Sequence, residues 1–330
     1  VLQHEAVEAV LRWLPGMIEA NYQGMQDTDV VYLGPERTDF RLTFVWRIRF
    51  YLILLGNLVM KMLRSAFFLE WWHVGISSNE ITEFIDGKNA LKINWVNNEE
   101  KREFRADPFP VKVNETSVTI CYEYYKWSEC KGRLRCMEID KKGAILDDME
   151  MNTVPWHQSY PFILESYGNK YCLPESCQTD NIILYEFNDR TGEINNPRTL
   201  IEGFAGVDST LLRWNKLWWL FCSLKGTRDS ELYIWYSENL FGEWKQHIKN
   251  PVKIDACSAR PAGNIIFKGD DMIRPSQDCS VRYGGAIVLN RIQILNTKDY
   301  KEVEIGRIEP LNDYADGIHT LNCLNGYTVV

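Results

Sequence analysis

Apolar positions along this chain change their period once, near residue 72. Before that point they recur every three or four residues, in Ala6, Val7, Val10, Leu11 and Leu14 and again in Phe44, Ile48, Tyr51, Leu52, Leu55, Val59 and Met62. This spacing lines one face of a helix, and Gly34-Pro35 between the two stretches reads as a turn. From Trp71 onward, short aromatic and β-branched runs alternate with Gly, Asn and Asp, the texture of strands and hairpins. The expectation is a helical N-terminal segment, residues 1–72, packed on an all-β domain, residues 73–330.

The strand region repeats itself. Each of five segments opens on a polar or Pro-containing start, runs through an apolar stretch to a Gly/Asn/Asp turn, and returns as a strand. Positions 107, 161, 208, 260 and 319 mark the starts, with spacings of 54, 47, 52 and 59 residues. A period of about fifty residues holding about four short strands is one propeller blade. Alternating strands at 134–139, 182–187 and 232–236 fall at matching places in the outer halves. The prediction is a five-bladed β-propeller with its blades between about residue 100 and residue 330, preceded by helix. Phased repeats count against the alternative, a sandwich of unrelated hairpins. The chain begins inside the helical pattern and stops at Val330 inside the fifth hairpin, which reads as one domain cut from a longer protein.

A propeller gathers the innermost strands of all blades around one axis, so polar residues at equivalent repeat positions converge. The repeats put Asp107, Tyr160, Asp208, Arg260 and His319 near their first strands, and Glu123, Glu175 and Arg274 near the ends of the second. Pro108 biases Asp107 towards extended backbone and makes it a candidate general base; the plainer reading is a turn cap, and Asp208 has the same two readings. Glu123 and Glu175 are the candidate acids, or else buried partners of an arginine. Chemistry at an anomeric carbon needs an acid and a base or nucleophile on opposite sides of the bond, and Asp107 with either Glu could supply both. Arg260, Arg274, Gln277 and Asp278 form a dense polar stretch. Arginine suits bidentate recognition of a phosphate or carboxylate, and a structural ion pair is the competing reading. His157 and His319, two of five histidines, sit just before or within first strands and join Tyr160 as candidate substrate ligands. No histidine cluster stands at metal-ligand spacing, so neither a metal nor another cofactor is expected.

Composition narrows the partners. With 330 residues, 45% of them hydrophobic, the chain can bury a large core without disulfides or metals. A net charge of −8 and the lack of any long Lys/Arg run argue against nucleic acid. Nine scattered cysteines with no Cys-x-x-Cys pair read as buried thiols of a reducing, cytoplasmic compartment; a Cys172–Cys177 disulfide is the alternative. Acidic residues within positions 1–14 argue against a signal peptide. The apolar run at 50–60 is too short to span a bilayer. Flanked by Arg47, Arg49, Lys61 and Arg64, it would pack on the rest of the protein or make a peripheral membrane contact.

The motifs Arg105-Ala106-Asp107-Pro108-Phe109, His157-Gln158-Ser159-Tyr160-Pro161, Leu173-Pro174-Glu175-Ser176 and Val207-Asp208-Ser209-Thr210 occur in order along the chain. They are followed by Ala259-Arg260-Pro261-Ala262-Gly263, Arg274-Pro275-Ser276-Gln277-Asp278-Cys279 and Gly317-Ile318-His319-Thr320-Leu321. This set resembles the N-terminal domain of plant glucosamine inositolphosphorylceramide transferases and its bacterial relatives joined to formyltransferase-like domains. The likeness runs over roughly residues 70–330. More distantly, the Asp-Pro of the first repeat and the Asp of the third resemble glycoside hydrolase family 43, which implies a base at Asp107 and a pKa-modulating acid at Asp208. In that family the general acid lies in a later blade, in a Glu-Gly-Pro type motif. Here that place reads Arg260-Pro261-Ala262-Gly263, so the role passes to Glu123 or Glu175, or the hydrolytic mechanism is absent.

Two functions follow from the residues and the resemblance together. One is a glycan-processing enzyme working at an anomeric centre in surface-glycan assembly, with a sugar, nucleotide-sugar or glycolipid as substrate. The other is a non-catalytic module that holds a sugar or acceptor for a fused or partner transferase. A propeller serving as a protein-interaction scaffold needs no channel lined by Asp, Glu, Arg and His.

Overall fold

The aromatic and β-branched runs fold into strands that pair with their neighbours in sequence, as short turn-linked runs do. The computed structural model describes residues 71–86, 92–96, 102–311, 314 and 316–330, with seven helical positions between 48 and 59. The chain divides into two compact units, one spanning residues 11–71 and the other containing residues 72–330. In the first, Ile48, Tyr51, Leu52, Leu55 and Val59 are helical and solvent-exposed. The helix expected over residues 6–14 lies outside the described residues. No helix among the described residues is long and apolar enough to cross a membrane.

The second unit opens with β1 (Gly75–Ser77), the short helix α1 (Ile81–Ile85) and β2 (Asn94–Trp95). Blade I then holds β3 (Glu103–Val113), β4 (Ser117–Lys126), β5 (Lys131–Asp140) and β6 (Ile145–Glu150). Blade II holds β7 (Ser159–Ser166), β8 (Asn169–Glu175), β9 (Ile182–Phe187) and β10 (Ile194–Ile201). Blade III holds β11 (Gly206–Trp214), β12 (Leu217–Leu224), β13 (Glu231–Ser237) and β14 (Lys245–Gln246), with β15 (Lys253–Ile254) also on β13. Blade IV holds β16 (Ile266–Lys268), β17 (Asp271–Gln277), β18 (Ile287–Leu295) and β19 (Tyr300–Ile308). The chain ends in β20 (Asn322–Leu324) and β21 (Tyr327–Val329).

The fifth blade is completed from the other end of the domain. Its order is β20-β21-β1-β2, and Gly75 and Val330 exchange both backbone hydrogen bonds, at 2.9 and 3.0 Å. Blades therefore begin at residue 75, ahead of the expected start near 100. The pairing covers the β21 edge, whose amides would otherwise be open, and it closes the ring.

Apolar side chains collect between blades. Val111, Cys121 and Leu134 of blade I meet Cys172 and Tyr185 of blade II. Phe162 and Leu173 meet Leu211 and Leu220 across blades II and III. Trp219 and Phe221 meet Met272 and Ile292, Ile273 and Leu289 meet Ile318 and Leu321, and Val329 and Ile76 meet Ile120 and Met137. Five clusters at five interfaces leave the axis to polar groups. All nine cysteines are free thiols, so Cys172 and Cys177 are not joined.

Candidate active site

In blades I, II and III the first strand carries a β-bulge at the same place. Register slips between Ala106 and Phe109, between Ser159 and Phe162, and between Val207 and Thr210. Asp107, Tyr160 and Asp208 sit in those slips with φ of 51°, 47° and 50°, a left-handed conformation that side chains other than Asn, Asp and Gly rarely adopt. A bulge kinks the strand and re-aims its side chain. Across each hairpin, Glu123 faces Ala106, Glu175 faces Ser159 and Ser223 faces Val207. In blade IV, Gln277 N donates to Arg260 O at 2.8 Å. Starts of first strands and ends of second strands lie together in antiparallel hairpins, so these groups share one end of the axis.

Every one of them is buried. Asp107 Oδ1 accepts from Thr320 Oγ1 at 2.6 Å and lies 3.1 Å from His319 Nε2, while Oδ2 accepts from Tyr160 N at 3.2 Å. Asp208 Oδ2 accepts from Arg260 Nε at 2.7 Å and from Gln277 Nε2 at 2.9 Å. Arg260 also pairs with Asp229 at 2.9 Å. Glu175 Oε1 accepts from the Cys177 thiol at 3.1 Å. His157 Nδ1 accepts from Gly132 N at 2.8 Å, which leaves the neutral ring's proton on Nε2, 3.6 Å from Glu123 Oε1. A Cβ on Gly132 would stand 2.2 Å from that same carboxyl oxygen, so only glycine permits the approach.

Beneath the carboxyl groups a hydrogen-bonded layer crosses the axis. The Tyr160 hydroxyl accepts from Gly263 N at 2.6 Å and bonds Thr210 Oγ1 at 2.9 Å. Asn322 accepts from Asn264 N at 2.8 Å and donates to Pro108 O at 2.9 Å. Blades I to V are tied there through polar atoms, which cost little when fully paired.

Electrostatics separate the carboxyl groups. Burial pushes Asp107 up, but the His319 imidazole, its hydrogen bond, Thr320 and then Arg260 outweigh it, and the carboxyl ends below its usual range. Burial and then Asp208 push Glu175 up to about 8 against the pull of Arg260. Glu123 rises well above its ordinary value through burial and the Asp107, Glu175 and Asp208 carboxyls. Burial keeps His157 below its own ordinary value. Near neutral pH the centre thus holds an ionised Asp107 beside a protonated Glu175, with Glu123 shifted in the same direction as Glu175. Among the described residues no three His, Cys, Asp or Glu side chains are arranged to hold a metal ion.

The structure brings together Asp107, Glu123, Glu175, Asp208, Arg260, Gln277, His157 and His319. Tyr160 is fully buried, with its hydroxyl spent in the layer below. Arg274, expected among them, points away: its guanidinium bonds Glu302 at 2.6 and 2.8 Å, Ser258 O at 2.6 Å and Ala259 O at 3.2 Å. Asp278 pairs with Arg307 and accepts from Ser280 Oγ at 2.6 Å. Sequence reasoning missed Asp229, Thr320, Cys177 and Tyr283. Thr320 follows His319 directly and was the one open to detection; the others sit in loops between second and third strands.

A five-bladed propeller with a buried cluster of carboxyl groups on its axis is the class that fold and site define. The chain belongs to the family described as glucosamine inositolphosphorylceramide transferase 1, N-terminal, whose profile matches residues 93–322. It is 31% identical over 210 residues to the rice (Oryza sativa subsp. japonica) glucosamine inositolphosphorylceramide transferase 1, covering 61% of this chain and 28% of that protein. The Arabidopsis thaliana protein of the same name is 29% identical over 214 residues, covering 61% and 27%. The chain therefore spans between a quarter and a third of the length of these relatives. Among solved structures, an exo-β-1,3-galactanase from Clostridium thermocellum shares the fold, with a TM-score of 0.50 and 13% identity over 64% of this chain and 53% of that one.

Proposed function

We propose that the axial centre acts on a glycan or glycolipid at an anomeric carbon, with Asp107 as base or nucleophile and Glu175 as acid. The observation that carries this is the divergence of two buried carboxyls in one cluster, one held ionised and one protonated to about 8. Environments that drive paired carboxyls apart are how one site runs acid and base chemistry at neutral pH. Glu175 would hand its proton to the departing glycosidic oxygen; Asp107 would take the proton of an attacking hydroxyl or bond the anomeric carbon itself. Asp208, held by Arg260 at 2.7 Å, helps to keep Glu175 protonated through the field of its carboxylate. The family name supports a glycosylated lipid as substrate or acceptor.

Asp107→Asn and Glu175→Gln test this directly, with turnover of aryl glycosides and binding of glycans measured separately. Turnover should fall by about 100-fold or more, with glycan affinity within a few-fold of wild type. Full turnover in both variants would remove the pair from the mechanism. A second reading, a sugar-holding module for a transferase, is favoured by the family match to the N-terminal part of longer proteins. It predicts binding without turnover in the wild-type chain.

A further inference from the structure

Over the acidic end of the axis stands a group of aromatic rings that the acid–base reading does not use. The loop between β17 and β18 carries Tyr283, half-buried, with its ring 4.7 Å from the Arg260 guanidinium and 5.2 Å from the His319 imidazole. Trp72 completes the group, 5.7 Å from Tyr283 and 4.2 Å from His319, edge-on to both.

Two glycines make the slot that holds Trp72. A Cβ on Gly284 would stand 3.0 Å from the indole, and one on Gly317 would stand 2.8 Å from it. Gly284 also has φ of 60°, and its carbonyl accepts from Ile318 N at 2.8 Å, locking the two loops together. Separate segments from blades IV and V thus both give up side chains to seat one indole beside the catalytic centre. Rigid aromatic rings with a polar tip are the groups that proteins use to hold amphipathic ligands.

Among the described residues, the contacts of Tyr283 are made by its ring, with Arg260, Trp72 and His319, and none is a hydrogen bond of its hydroxyl. Yet it stands in the field of the centre: burial and then the Asp107, Asp208 and Glu123 carboxyls push its pKa well up, against the lowering effect of Arg260. A phenol held protonated beside carboxyls, with no acceptor among the described residues, can donate to a ligand oxygen.

We propose that Trp72 and Tyr283 form the sugar-ring subsite of the axial centre, the pyranose packing against the indole and the Tyr283 hydroxyl donating to one of its oxygens. This rests on the carbohydrate reading above, and it assigns the residues that hold the ring rather than those that move protons. The test uses the whole chain on a broad glycan array, then calorimetric titration with the free form of the strongest-binding glycan. Tyr283→Phe, which removes one oxygen, should weaken binding about fivefold, the worth of one hydrogen bond, with an unchanged melting temperature. Trp72→Ala should weaken it about tenfold or more, and Trp72→Phe should restore part of the loss. Tyr283→Phe and Trp72→Phe titrations that both superimpose on wild type would overturn the subsite while leaving the acid–base pair standing. Wild-type protein that binds no glycan on the array overturns the carbohydrate reading itself, and the subsite with it.

Discussion

Glu175→Gln should remove a loss of stability that the wild-type protein suffers as pH rises, by an amount that the structure bounds. In the folded chain Glu175 is buried and holds its proton to about 8; in the unfolded chain it loses it near 4.5. The folded state therefore binds the extra proton, and stability falls with pH across that window. The contribution is fully present below the unfolded value and fully lost above about 8. At about 1.4 kcal/mol per pH unit over that interval the loss reaches at most about 5 kcal/mol. Asp208, Arg260 and Glu123 share the same charge field, which brings the expected loss to about 2–5 kcal/mol. Glutamine keeps the shape and cannot ionise. Urea unfolding of both proteins at pH 5, 7 and 8.5 reads the difference: the variant gains on wild type at each step, by about 2 kcal/mol or more in total. Parallel stabilities across the range would mean that Glu175 is ionised in the folded protein, and the acid role would go with it.

Two further substitutions probe the scaffold. Gly263→Ala places a Cβ 2.2 Å from Leu321 O at a φ of 127°, so it should destabilise by about 3 kcal/mol or more, read by denaturant midpoint. Glu302→Gln strips the charge partner from buried Arg274 and should cost about 3–5 kcal/mol, with glycan affinity intact because that pair lies off the axis; weakened binding at unchanged stability would contradict this placement.

The repeat framework was legible because blades impose a period and the bulged starts of first strands keep their phase. Asp107, Tyr160 and Asp208 could be aligned without a structure, and with them Glu123 and Glu175 at the facing ends. Arg274 matches the repeat by position, but strand parity sends it elsewhere. Gln277 reaches the axis, and along a strand successive side chains point to opposite faces. Arg274, three residues earlier, therefore faces Glu302. Tyr283 and Asp229 lie in loops of unequal length, where no phase exists to align them. The ring closure escaped because β1 and β2 are only three and two residues long, too short for alternation to register.

The three bulges explain how one strand serves two environments. Beyond the bulge, Phe109 and Val111 fill the cores between blades, and a one-residue slip in pairing would turn every side chain to the opposite face. Inserting the extra residue at the start of the strand leaves that packing in register and sends Asp107 to the axis. A non-glycine residue at such φ costs about 1–3 kcal/mol, less for Asp, which tolerates the left-handed region better than most. Asp107 and Asp208 recover their cost through the donors that hold their carboxylates. Tyr160 has no such tolerance, and its compensation is the hydroxyl that joins Gly263 and Thr210 across the axis, with its ring packed edge-on 4.8 Å from Phe109. The same backbone device thus turns two carboxyl groups to the axis and makes one strut that ties the blades carrying them together.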